Sequence, residues 1–99
     1  MTGEMNHGYP IIIFFSSKYC VPCKPVEEML KRINLSMFGK KLMINKIDIE
    51  EKGGMELSKK HNITTLPTLI ISDKKLTVNI QEEDIIDAIL QGFISSIKI

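Results

Sequence analysis

Residues 11–15 form a run of five apolar side chains, Ile-Ile-Ile-Phe-Phe, in an otherwise mixed chain. They are β-branched or aromatic, so the run predicts a strand buried on both faces. From Pro25 the pattern changes. Val26, Met29, Leu30 and Ile33 follow the i, i+3, i+4, i+7 spacing of an amphipathic helix, which ends before Gly39. Leu42, Ile44, Ile47 and Ile49 predict a second strand over residues 42–49. Gly53-Gly54 reads as a break and residues 55–61 as a short helix. Residues 68–72, rich in β-branched side chains, predict a third strand. Asp73-Lys74-Lys75 reads as a turn, and residues 76–80 alternate as a fourth strand. Ile85, Ile86, Ile89, Leu90 and Phe93 make the apolar face of a last helix. Glu82, Glu83 and Asp84 in its first turn complement the helix dipole.

The predicted order is β-α-β-α-β-β-α. A strand, crossover helix and strand form a right-handed parallel unit, and the tight turn near residue 74 makes an antiparallel hairpin. The expected fold class is therefore α/β: a mixed four-stranded sheet with helices on both faces. Ninety-nine residues suit a single domain, 1–99, with residues 1–8 as a loose polar lead-in.

Composition narrows the function classes. Thirteen basic and twelve acidic side chains nearly cancel, which leaves no electrostatic footprint for nucleic acid or an anionic membrane. A five-residue apolar run cannot span a bilayer. The stretch before it has Glu4 but no Lys or Arg, unlike the basic start of a secretory signal, so the cytoplasm is the expected location. There are two cysteines, where a disulfide scaffold would carry more.

Those two cysteines are the candidate chemistry. Cys20-Val21-Pro22-Cys23 falls between the first predicted strand and the first helix. Cβ atoms three residues apart on a helix lie about 5–6 Å apart, and a disulfide needs about 3.5–4.5 Å, so the pair can bond after a small local adjustment. The ring is short, which suits a reducible bond better than a staple. With Cys20 as the helix N-cap, its sulfur would face free N–H groups and the positive helix end, which favour the thiolate. Lys18 and Lys24 add positive potential, and Tyr19 is expected to shelter the site from water. Zinc is not expected, because a full site takes four ligands and His7 and His61 stand apart; no cofactor is implied. A dimer sharing a metal through two copies of the motif stays open.

The residues Phe14-Phe15-Ser16-Ser17-Lys18-Tyr19-Cys20-Val21-Pro22-Cys23-Lys24 resemble the active-site strand and loop of the thioredoxin family. Lys46-Ile47-Asp48-Ile49-Glu50 is similar to that family's central strand, and Leu66-Pro67-Thr68 to its cis-proline loop. The resemblance covers roughly residues 10–95. It implies a disulfide between Cys20, the nucleophile, and Cys23, the resolving cysteine. It also implies a substrate surface made by Tyr19, Val21, Pro22, Leu66 and a cis Pro67. The implied partners are protein disulfides and an upstream thiol reductase as electron donor, with the chain working as a monomer.

Several positions depart from the family pattern. Phe14 stands where a buried acid is usual, and Lys46 is then read as an ordinary strand lysine. Tyr19 replaces a tryptophan and Val21 a glycine, and Glu28 stands where a kinking proline is usual. Pro25 removes the N–H that would bond the Val21 carbonyl, which predicts a distorted first helical turn. The chain is expected to lack the leading strand and helix of a full thioredoxin, and residues 76–84 lack the glycines that glutaredoxins use for glutathione. Protein-disulfide reduction is the first reading. A glutathione-linked carrier and a non-catalytic binding module are the alternatives.

Overall fold

The computed structural model describes residues 9–96, with side chains through Ile94. The expected lead-in, residues 1–8, and residues 97–99 lie outside the described residues. The elements run β1 (Ile11–Ser16), α1 (Cys23–Phe38), β2 (Met43–Asp48), α2 (Lys52–Lys60), β3 (Thr68–Ile71), β4 (Lys74–Leu76) and α3 (Glu82–Ser96). The sheet order is β2-β1-β3-β4. β1 pairs parallel with β2 and antiparallel with β3, and β3 pairs antiparallel with β4.

The apolar run takes an interior position, between β2 and β3, with side chains that fill both faces. Ile12 and Phe14 point into a cluster with Val26, Leu30 and Ile33 of α1, Leu69 and Ile71 of β3, and Ile85 and Ile89 of α3. Phe15, fully buried, points to the other face, where its ring meets His61 at the end of α2 with centroids 5.8 Å apart. Burying each of these large side chains contributes on the order of 1.5–3 kcal/mol. The cores on the two sides lock the β1 register, because a one-residue slip would exchange the faces.

α1 stops at Gly39, which takes the left-handed conformation (φ 57°). The turn that follows is tied back by Asn34. Its carbonyl accepts from the Lys40 N–H at 2.8 Å, and its side-chain oxygen accepts from the Leu42 N–H at 2.9 Å. β2 thereby starts in register beside β1.

Two predicted boundaries move. Gly53 and Gly54 do not break the chain: both lie inside α2. The fourth strand is Lys74–Leu76 rather than residues 76–80, because the hairpin closes through Ser72 and Asp73, with Ser72 at φ 57°. The shorter loop pairs Ile71 with Lys74 and moves the strand forward, leaving residues 77–81 as a loop. α3 opens with the Gln81 N–H donating to the Asp84 carboxylate at 3.0 Å, a side-chain cap. It runs on through Gly92, where a Cβ would press on Pro10 and on the Ser72 hydroxyl, each at 2.8 Å.

Candidate active site

Two consecutive tight turns carry the chain from β1 into α1. The Ser17 carbonyl accepts from the Cys20 N–H at 3.0 Å, while the Ser17 hydroxyl accepts from the Tyr19 N–H at 3.1 Å. The Cys20 carbonyl then accepts from the Cys23 N–H at 3.2 Å. The second turn folds the two cysteines together, and they form a disulfide with Cα atoms 5.4 Å apart.

Pro22, rather than Cys20, is the N-cap of α1, and it provides no side-chain cap bond. Two of the N–H groups expected to be free at this helix end are also taken. Cys23 and Lys24 donate to the Cys20 and Val21 carbonyls, and Pro25 has no N–H. What remains at this helix end is the axial dipole and the ammonium groups of Lys18 and Lys24, which line the same cavity as both cysteines. Pro25 also distorts less than expected. It falls in the first turn, where an N–H has no intrahelical partner, and the Val21 carbonyl takes the Lys24 N–H at 3.2 Å instead.

The two cysteines differ in exposure. Cys23 is 4% exposed and belongs to the main core, whereas Cys20 is half-buried. Tyr19 and Val21 stand out at 75% and 77% exposure. Tyr19 therefore does not shelter the sulfurs; its ring reaches into solvent with the Lys18 ammonium 5.8 Å from its centroid.

Farther along the chain, the Leu66–Pro67 peptide bond is cis. The next residue fastens this loop: the buried Thr68 hydroxyl donates to the Thr65 carbonyl at 2.7 Å. Pro67 and Pro22 line one shallow cleft of about 220 Å³, together with Val26, Met29, Thr77 and Asn79. The fold thus brings the proline loop against the start of α1.

The thioredoxin family model matches residues 4–95. The chain belongs to the thioredoxin family. It is 27% identical to the mitochondrial thioredoxin of Bos taurus over 96 residues, covering 91% of this chain and 55% of that protein. It is 26% identical to a thioredoxin of Mycolicibacterium smegmatis over 70 residues, covering 71% of this chain and 62% of that one. The chain spans about half the length of the curated relatives it matches. Among solved structures, a thioredoxin-like protein from Clostridium perfringens superposes with a TM-score of 0.73 at 21% identity, over 86% of this chain and 71% of that one. Thioredoxin O1 from Arabidopsis thaliana in the oxidised state gives 0.67 at 23%, over 85% and 78%.

The departures from the thioredoxin pattern now have surroundings. Phe14, at the position of the family's acid, is 1% exposed within the core. Lys46 is no ordinary strand lysine. Its ammonium donates to both carboxylate oxygens of Glu27, at 3.2 and 3.0 Å. That pair lines a cavity of about 340 Å³ shared with Cys20 and Cys23. Sequence reasoning passed over Glu27, although its place four residues after Cys23 put both on one helix face. Among the described residues, no three His, Cys, Asp or Glu side chains gather as a metal site requires. No helix among them is long and apolar enough to cross a membrane.

Proposed function

We propose that the chain reduces protein disulfides by thiol–disulfide exchange through Cys20 and Cys23. The unequal burial of the two bonded cysteines carries this reading: Cys20 is within reach of a partner, and Cys23 is almost fully buried. In the reduced protein the Cys20 thiolate attacks one substrate sulfur. A Cys20–substrate disulfide forms, and the other substrate sulfur leaves and takes a proton from solvent. Cys23 then gives up its proton and attacks the Cys20 sulfur. The Cys20–Cys23 bond forms and the second substrate sulfur leaves, so two electrons pass from the dithiol to the substrate. The helix dipole, Lys18 and Lys24 favour the attacking thiolate of Cys20.

Exposed Tyr19, Val21 and Pro22 and the adjoining Leu66 and Pro67 form the surface on which an extended substrate segment lies. An upstream thiol reductase regenerates the dithiol, which gives the chain a part in electron transfer and redox homeostasis. It acts as a monomer, since one chain supplies both sulfurs and the proline loop. The cytoplasm remains the proposed location, in keeping with two cysteines that both serve one site. Turbidity from insulin reduction by dithiothreitol tests the activity. Catalytic amounts of the protein shorten the lag, and Cys20→Ser abolishes the effect. No acceleration by the wild-type chain would overturn the proposal.

A further inference from the structure

The second chemical step needs a proton acceptor near Cys23. Cys23 is almost fully buried as a residue, and burial disfavours a thiolate. Beneath it, β1 presents the Phe14 ring rather than an acid. The cavity that adjoins both cysteines is polar and roomy enough for water. Glu27 lies one helical turn beyond Cys23, at a Cβ separation of about 5–6 Å for such a pair. Its carboxylate does not swing freely. Lys46 on β2 holds both oxygens, and the Lys31 ammonium lies 3.8 Å away along the helix. The side chain is 29% exposed, so it touches both the cavity and solvent.

We propose that Glu27, positioned by Lys46, receives the proton of the Cys23 thiol through cavity water and passes it to solvent. The proposal rests on the exchange reading above. As Cys23 attacks Cys20, its S–H proton moves by way of water to the Glu27 carboxylate. The Cys20–substrate bond breaks and the substrate thiolate departs. Glu27 then releases the proton at the cavity mouth, from which the departing thiolate is protonated, so charge and electrons balance. The other carboxylates on this cavity are less suited. Asp48 uses one oxygen to accept from the Glu50 N–H at 2.9 Å, and Glu28 is exposed and lacks the Lys46 clamp.

The test separates the two chemical steps. Reduced protein mixed in a stopped-flow instrument with one equivalent of 5,5′-dithiobis(2-nitrobenzoate) releases a first thionitrobenzoate on attack by Cys20. A second leaves when Cys23 resolves the mixed disulfide. Glu27→Gln keeps the size and the polar contact and removes the base. The first phase is expected to stay unchanged, and the second to slow at least tenfold at pH 7. That deficit should close as the pH rises to where Cys23 ionises unaided. Lys18, Lys24, Lys46, Glu28 and Asp48 also face the cavity and are the same in both proteins, so a difference in the pH profile belongs to Glu27. Lys46→Met, a second variant, slows the same phase to a smaller degree. Equal second-phase rates from pH 6 to 9 would overturn the proposal. So would a slowing of equal size at every pH, which marks a structural role. No first phase in the wild-type protein would instead overturn the exchange reading itself.

Discussion

Gly54 lies against the carbonyl oxygen of Asp48, with no space between them for a side chain. A Cβ at that position would also meet the Ile47 side chain at 3.1 Å. This close approach lets α2 turn back directly off the end of β2. Gly53, its neighbour, has nothing within 4 Å of its own Cβ position. Two adjacent glycines that look alike in the sequence therefore carry unequal demands.

Gly54→Ala is expected to destabilise the protein by about 1–3 kcal/mol, because a backbone carbonyl cannot yield as a flexible side chain can. Gly53→Ala is expected to stabilise it by about 0.4–1 kcal/mol, through the lower entropy of the unfolded chain. Urea denaturation of both variants, with unchanged m-values, checks the contrast.

The exposure difference at the cysteines predicts an order of reactivity. In reduced protein at neutral pH, iodoacetamide should label Cys20 well before Cys23. Cys23→Ser should accumulate mixed disulfides with substrates, and Cys20→Ser should accumulate none. Mass spectrometry of the adducts reads both results. Preferential labelling of Cys23 would reverse the assigned roles.

Thr68→Val keeps the shape of a buried side chain and deletes the hydroxyl that holds the Thr65 carbonyl. The expected cost is about 1–2 kcal/mol of stability, mainly from the carbonyl left without its partner. The loop carrying Leu66 and Pro67 should loosen as well, raising KM for a protein disulfide more than it lowers kcat. Hydrogen exchange at residues 65–69 together with insulin-reduction kinetics measures the two effects.

Phe14→Ala should cost about 3–5 kcal/mol, since the ring fills space shared by β1, α1 and α3. Phe14→Asp, which installs an acid at the family's usual position, should be no more stable than the alanine variant. It leaves the same cavity and adds a carboxylate buried among apolar side chains, while Lys46, its neighbour across the strand pair, is already engaged by Glu27. Thermal melts of the two variants side by side test this.

The chain order and sheet type were legible because periodicity is local. The run at residues 11–15 and the spacing from Val26 to Ile33 each report their own burial, and the turn read at residues 73–75 reports a hairpin, although the chain reverses at Ser72 and Asp73. The motif at Cys20 and Cys23 was legible for the same reason, since four consecutive residues make the whole disulfide ring. Single residues failed where the deciding neighbour is distant. Gly54 reads as a helix breaker until Asp48 is found above it, and Lys46 as an ordinary strand lysine until α1 brings Glu27 to it. The start of the fourth strand depended on hairpin closure, and the N-cap on which carbonyls took the Cys23 and Lys24 N–H groups. Spacing along the chain determines which side chains share a face. Only packing decides which other face they meet, because those contacts join residues with no fixed separation in sequence.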